Sequence, residues 1–351
     1  MKFGLISDIH FGARNNSSYF LGNMLKFYEH VFFPYLIENK ITTLLILGDT
    51  WENRKLTNGL ILNQAKKHFF DKLRDNNISV KMIYGNHDVF FKNTNEVNNV
   101  DFLGEMYSNI EVVKTHKVFD FDGFKVGMIS WINSENLESS LEWIRNVSAN
   151  ALAGHFEIKN FEMIKGQVCQ HGFDKSLFSN FEYVWSGHFH VISNDGQIQY
   201  LGNPSQTNWG DLGLDKGFHV FDTETHQLEL IKNPYEVYAT VKFSDVVNPH
   251  DFDYSQYKDK IVQILVSNLS NADKLLYNTF IDYMGEVVYD MVVIETTEMT
   301  STGELVESEI PSFFELVDLY INGIESENID KSVLKSYVMD LHNSAMEGVL
   351  V

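Results

Sequence analysis

Asp8, His10, Asp49, Asn86, His87, His155, His188 and His190 stand in five short segments: Asp-x-His, Gly-Asp, Gly-Asn-His-Asp, Gly-His and Gly-His-x-His. Most of these segments come just after an apolar run. A pair of divalent ions about 3.5–4 Å apart needs a bridging anion and a mixture of imidazole and oxygen donors, and these residue types supply both. Asp49, in LLILGD, is the natural bridge, because each carboxylate oxygen can reach one ion. Imidazole, carboxylate and amide oxygen together suit Mn²⁺, Fe²⁺ or Zn²⁺ better than Ca²⁺ or Mg²⁺, and Mn²⁺ is the first choice. No cysteine is in the set, which speaks against a closed structural zinc site. The chemistry indicated is phosphoester hydrolysis at a two-metal centre.

The chain has 13 histidines. His30, His68, His116, His171, His219, His226, His250 and His342 fall outside the pattern and are read as ordinary surface or core residues.

Elements must gather donors that are spread over so much chain. Strand-like runs at Lys2–Ile6, Thr43–Leu47, Val80–Tyr84, Ala151–Ala153 and Tyr183–Trp185 each lead into candidate ligands. In open α/β sheets, functional groups collect beyond the carboxyl ends of strands in this way. Gly48, Gly85, Gly154 and Gly187 would allow the tight turns required there. Helix-like stretches at Ser18–Asn39 and Leu56–Asp75 alternate with the first strands. Hairpins are predicted over Lys117–Trp131, turning at Asp122-Gly123, and over Lys216–Lys232, turning around Thr223–Thr225. The whole reads as α/β, a β-sandwich flanked by helices.

A boundary is predicted near Asn233-Pro234, which makes 1–233 the catalytic domain. Residues 234–298 read as a small α/β unit with strand Lys260–Ser267, helix Asn271–Gly285 and strand Glu286–Thr296. Residues 299–311 read as a linker, since Thr300–Glu309 has no apolar period. Two amphipathic helices follow within 312–351. Phe313, Leu316, Val317, Tyr320, Ile321 and Ile324 share one face, and Val333, Leu334, Tyr337, Val338, Leu341 and Ala345 share the other. Faces this wide must be buried, and a partner protein is the economical cover.

Over about residues 1–220 the donor set resembles the calcineurin-like metallophosphoesterase superfamily. The opening KFGLISDIHFGA and the later YLGNPSQTNWGDLGLDKGFHVF resemble the SbcD-type nucleases of DNA double-strand-break processing, among them the nuclease subunits of tailed-phage recombination. This resemblance implies an αββα sandwich with a small α/β capping domain and C-terminal helices. It implies that Asp8, His10 and His190 complete one metal site around Asp49, and that Asn86, His155 and His188 complete the other. A water activated between two divalent ions would attack a DNA phosphodiester, with His87 as the catalytic acid that serves the departing sugar oxygen. The implied partners are DNA, an SbcC-type coiled-coil ATPase docked on the C-terminal helices, and a second copy of the chain. One departure is plain: many such nucleases carry a histidine a few residues after Gly-Asp, and Glu52 stands there instead. That auxiliary histidine, and any exonuclease preference tied to it, is not carried over.

Composition limits how DNA could be held. Acidic residues number 48 against 27 basic, a formal charge of −21, and such a chain disfavours nonspecific phosphate contacts. Lys66, Lys67, Lys72 and Arg74 form a modest basic concentration, read chiefly as the solvent face of a helix, and Arg54 and Lys55 are read as solvated too. The grip on DNA is therefore expected from the metals or a partner. No Gly-x-x-x-x-Gly-Lys-Ser/Thr loop is present to cradle a nucleotide.

With 351 residues and 44% apolar content the chain can bury a sizeable core. It lacks an apolar stretch of about 18–20 residues and a signal-peptide pattern, and its one cysteine is Cys169. A cytoplasmic protein with no membrane association is expected, in the host cytoplasm if it is phage-encoded. The same ligands serve metallophosphatases and small-molecule phosphodiesterases, which form the alternative reading. A noncatalytic scaffold is a second alternative, but it has no physical need for seven ligands plus His87.

Overall fold

In the computed structural model, residues 1–55, 58–267, 269, 273–295, 321, 331 and 334 are described. Residues Met1–Thr297 form one unit and Glu298–Val351 a second. The expected linker 299–311 and C-terminal helices 312–351 lie outside the described residues, apart from Ile321, Lys331 and Leu334.

The apolar runs make two six-stranded sheets. From edge to edge the first runs Gln227–Lys232, Gly217–Asp222, Lys2–Ile6, Thr43–Leu47, Ser79–Ile83 and Ile110–Val113. Its last four strands are parallel, and Gly217–Asp222 pairs antiparallel with Lys2–Ile6. The second runs Ser193–Asn194, Ile198–Tyr200, Tyr183–Gly187, Ala151–His155, Phe124–Ile129 and His116–Phe121. Thr43–Leu47 is buried along its whole length, as a central parallel strand covered on both faces must be.

Alternation along the strands sorts the side chains into layers. Phe3, Leu5, Leu45, Leu47 and Phe221 of the first sheet pack against Val126, Met128, Ala153 and Trp185 of the second. Phe3 and Trp185 meet edge to face across this interior, 5.8 Å between centroids. The opposite faces, Ile6, Leu44 and Ile46 on one sheet and Ile129, Leu152 and Val184 on the other, are covered by helices. That is the expected αββα sandwich.

Both predicted long helices form, with an irregularity that periodicity did not disclose. Ser18–Glu38 is helical throughout but widens into a π turn at Tyr28–Phe32, just before Pro34, which has no N–H to donate back along the helix. The second helical run spans Gly59–Asp75 with a π turn at Lys66–Phe70. It begins at Gly59 because the Asn58 side chain caps it, accepting from Leu60 N at 2.8 Å. The two π turns face each other through Tyr28 and Phe69, whose rings are 4.8 Å apart. The hairpin at Asp122-Gly123 has φ values of 55° and 90°, the left-handed pair that a two-residue turn demands.

The small α/β region has strand Ile261–Val266, helix Asp273–Val287 and strand Asp290–Glu295. A further strand, Tyr238–Lys242, pairs parallel with Ile261–Val266 and had no sequence expectation. Among the described residues, no helix is long and apolar enough to cross a membrane.

Candidate metal centre

The loops that follow the strands are stitched together before any side chain is considered. Asp8 N donates to the Gly48 carbonyl at 3.1 Å, His10 N to that of Asp49 at 3.0 Å and Phe11 N to that of Thr50 at 2.9 Å. Asp8, His10, Asp49 and His188 have φ of 52°, 53°, 49° and 87°. Such left-handed conformations cost non-glycine residues about 1–3 kcal/mol each and are retained where surrounding structure enforces them. Gly85 is required by space: a Cβ there would lie 2.1 Å from Asp49 Oδ1.

All eight residues singled out from sequence meet at this end of the sandwich. His155 Nε2 is 3.3 Å from Asp49 Oδ2 and 3.0 Å from Asn86 Oδ1, which also has His188 Nδ1 at 2.9 Å. His188 N donates to both Asp8 oxygens at 3.0 and 3.1 Å. His10 Nε2 lies 3.8 Å from Asp49 Oδ2 and 4.0 Å from Asp8 Oδ1, and His190 Nε2 is 3.9 Å from Asp8 Oδ1. Three potential donor groups result among the described residues: Asp8 with His10 and His190, Asp49 with His155 and His188, and His10 with Glu52 and His87. His87 is tied to both sides of its loop: its N donates to Asp49 Oδ1 at 2.8 Å, and its Nδ1 is 2.7 Å from the Glu52 carbonyl.

The donor chemistry fits cations. Three of the imidazoles set an outer nitrogen beside an acceptor, two as hydrogen bonds and His10 as an ion-pair contact without hydrogen-bond geometry. His155 Nδ1 is 2.8 Å from the Leu47 carbonyl, His188 Nε2 is 3.0 Å from Glu157 Oε1, and His10 Nδ1 is 2.8 Å from Glu52 Oε2. The inner nitrogens are thereby turned toward carboxylates, an amide oxygen or each other, and His10 Nε2 and His190 Nε2 lie only 3.1 Å apart. Lone pairs so arranged repel unless a proton or a metal ion lies among them.

Proton affinities reflect this crowding. Burial pushes His10 down, but the Glu52 bond and the carboxylates of Asp49, Glu52 and Asp8 override it and raise the group to about 9. Burial likewise opposes His155, and Asp49 and Asp8 raise it to about 9. Asp8 is pushed up by burial, whereas imidazoles led by His155 hold Asp49 well below the usual carboxylate range against its own burial. His190 is kept neutral by burial, reinforced by His10 and Lys216. The same carboxylates that raise the two imidazoles would also attract a divalent ion, so protons and metal compete for these donors.

Several supporting residues carried no recognisable spacing. In the sequence Glu52 stands out only as a departure, yet its carboxylate lies 2.8 Å from His10 Nδ1. Glu157 holds His188. Asp88 is fully buried and accepts from Gly85 N at 2.9 Å and Trp51 N at 3.1 Å, fixing the loop that bears Asn86 and His87. The stretch Asn203–Lys216, noted for its resemblance, contains a buried ion pair, Lys216 Nζ to Asp211 Oδ1 at 2.6 Å. Lys216 also donates to the His190 carbonyl at 2.9 Å, so this segment buttresses one potential ligand from below.

A cavity of about 250 Å³ opens on the cluster, lined by His10, Asp49, Glu52, His87, His188 and His190, with Arg14, Thr207 and Asn208 also on its wall. Arg54 departs from its solvated reading: it is half-buried and close enough to Asp49 to feel its charge, though burial still lowers its proton affinity. In the basic helix, Lys66 pairs with Asp71 at 2.8 Å and Arg74 with Asp75 at 2.8 Å, so acids neutralise part of that concentration.

The calcineurin-like phosphoesterase family model matches residues 1–192. Exonuclease subunit 1 of Enterobacteria phage T4 is 29% identical over 349 residues, covering 99% of this chain and 100% of that protein. Among solved structures, an archaeal phosphodiesterase is 16% identical, with 66% of this chain and 99% of the other covered at a TM-score of 0.34. A dimetal phosphatase from Danio rerio is 10% identical, with 63% and 91% covered at a TM-score of 0.38.

Proposed function

The chain belongs to the calcineurin-like phosphoesterase family, and from that premise we propose that it is a two-metal DNA nuclease, the catalytic subunit of a recombination and repair complex. The observation that carries the reading is the convergence of Asp8, His10, Asp49, Asn86, His155, His188 and His190 beside His87, with His10, Asp49, His87, His188 and His190 opening onto one cavity. Full-length similarity to a phage exonuclease subunit supports DNA as the substrate and a complex as the working form.

In this proposal Asp8, His10 and His190 would hold one ion and Asn86, His155 and His188 the other, with Asp49 available to both. Two divalent ions, Mn²⁺ by preference, would supply Lewis acidity toward the phosphoryl oxygens and a nucleophilic hydroxide near neutral pH. The remaining work falls to the chain. Glu52, Glu157 and the Leu47 carbonyl orient the imidazoles, so that little reorganisation is needed when charge builds on the phosphate. His87 Nδ1–H donates a hydrogen bond to the Glu52 carbonyl, and in the imidazolium form Nε2 carries the second proton, which it would pass to the departing sugar oxygen, leaving the neutral Nδ1–H imidazole. Arg14, on the cavity wall, is placed to meet a flanking phosphate.

An SbcC-type coiled-coil ATPase, bound through 312–351, and a second copy of the chain belong to the same proposal, as does the host cytoplasm as its location. A strongly acidic chain gains from such partners, because they can contribute DNA contacts that it lacks.

The test is cleavage of end-labelled single- and double-stranded DNA with Mn²⁺, Mg²⁺ or chelator, comparing the wild type with His87→Ser and Asp49→Ala. Metal-dependent cutting lost in both variants is expected. Hydrolysis of small phosphodiesters without any DNA cleavage, alone or with the ATPase, would select the small-molecule phosphodiesterase reading instead.

A further inference from the structure

Immediately after His87 the chain does something costly. Asp88 and Val89 are fully buried, yet Phe90 and Phe91 come next at 37% and 47% exposure. Their rings form an edge-to-face pair with centroids 4.8 Å apart. The turn presenting them is well tied: Phe90 N donates to the Val97 carbonyl at 2.9 Å, and Asn99 N to that of Asp88 at 2.9 Å. Two adjacent phenylalanines held in water by an ordered turn call for a ligand with a flat apolar face.

The surroundings narrow that ligand. Lys55 Nζ lies 5.9 Å from the Phe90 ring centroid, so a cation accompanies the aromatic surface. Lys55 belongs to the loop that begins at Glu52, and this loop is bound to the Phe90 turn twice. His87 Nδ1 donates to the Glu52 carbonyl at 2.7 Å, and Asn99 Nδ2 to the Asn53 carbonyl at 3.3 Å. Glu52 and His87 both line the catalytic cavity. The aromatic pair and the lysine are therefore carried by the two tied loops that also bring Glu52 and His87 to the cavity.

We propose that Phe90 and Phe91, with Lys55, form a stacking platform for an unpaired nucleobase next to the phosphate being cleaved; this rests on the nuclease reading above. A flat ring with a cation beside it matches a base and its phosphate, the unit repeated along a single strand. Bases inside a duplex present no free face, so the platform accepts frayed ends or single strands and discriminates against intact duplex. Stacking also answers the charge problem. A chain at −21 gains little from counterion release, whereas stacking a base on an aromatic ring is worth about 1–3 kcal/mol without neutralising a phosphate.

The experiment uses the full-length chain with Mn²⁺ and three substrates: a single-stranded oligonucleotide, the same strand with abasic sites throughout, and bis(p-nitrophenyl) phosphate. KM and kcat are compared for the wild type, Phe90→Ala, Phe91→Ala, the double alanine variant and the double tyrosine variant. The expected result is a KM on the natural strand raised at least about tenfold in the double alanine variant, well beyond any change on the small ester, with tyrosine restoring it. The wild type should bind the abasic strand about as weakly as that variant binds the natural one. Equal KM for natural and abasic strands in the wild type overturns the platform without needing any variant to fold. So does a loss in the alanine variants that is the same on strand and small ester, because that marks a structural role. If the wild type hydrolyses the small ester but cuts no strand, alone or with the ATPase added, the nuclease reading fails and the platform with it. If it cuts strands and the alanine variants match it, only the platform fails.

Discussion

Glu52 Oε2 lies 2.8 Å from His10 Nδ1, so a carboxylate stands behind one imidazole of the cluster and turns its Nε2 toward Asp8 and Asp49. Carboxylates in this position fix the tautomer of a ligating histidine and raise its basicity, and their loss weakens metal binding about 10–100-fold. Glu52→Ala should lower Mn²⁺ affinity by that factor, and Glu52→Gln, which keeps an acceptor oxygen, by less. Calorimetric titration of the metal-free protein reads this directly, and unchanged affinity in both variants would remove the role.

His87 reaches Asp49 through its backbone N–H and the Glu52 carbonyl through Nδ1, which leaves Nε2 for proton transfer. His87→Gln is expected to lower kcat about 10²–10⁴-fold while metal content stays at the wild-type level. Elemental analysis alongside steady-state kinetics checks both halves. Loss of metal in step with activity would make His87 a ligand.

Gly85 leaves no room for a side chain, since a Cβ would meet Asp49 Oδ1 at 2.1 Å and Asp49 N at 2.3 Å. Gly85→Ala should displace the central carboxylate, abolish metal loading without removing a donor, and cost about 1–3 kcal/mol in stability. A fully loaded, fully active variant is the contrary outcome.

The metal-free protein should be pH-sensitive in a defined window. His10 and His155 rise from 6.5 to about 9 in the folded chain. A raised folded value means that the native state holds the proton more tightly than the unfolded state. This stability is therefore fully present below about pH 6.5 and is lost as pH climbs through about 9, at most about 3 kcal/mol per histidine. Asp49, held low, is ionised across the whole window and does not change the sign. In chelator, Tm should fall from pH 6.5 to 9. With Mn²⁺ the stabilisation by metal should grow over the same interval, because deprotonated imidazoles bind it. A flat chelator profile would contradict the charge assignment.

Much of the architecture could be read from local pattern. The strands Lys2–Ile6 and Thr43–Leu47 have the predicted bounds because apolar runs bounded by turn residues are local signals, and Asp122-Gly123 turns where its sequence requires. The π turns at Tyr28–Phe32 and Lys66–Phe70 were hidden, since an extra residue in one turn barely disturbs a helical period. Tyr238–Lys242 carries no clear sequence signal because, among the described residues, its strand neighbour is the distant Ile261–Val266, and parallel pairing leaves no mark on adjacent residues.

The sequence by itself determined the donor types, their order and their placement at the ends of strands, because these depend on residue identity and on patterns a few residues long. Only the tertiary structure decided which nitrogen of each histidine faces inward, which backbone positions are held at positive φ, that Glu52 and Glu157 stand behind imidazoles, and that Phe90 and Phe91 face water beside His87. Those features are distances of a few ångströms between residues far apart in the chain, as with His10 and His190, 180 positions apart. They are fixed by how two packed sheets bring their loops together, which no local pattern encodes.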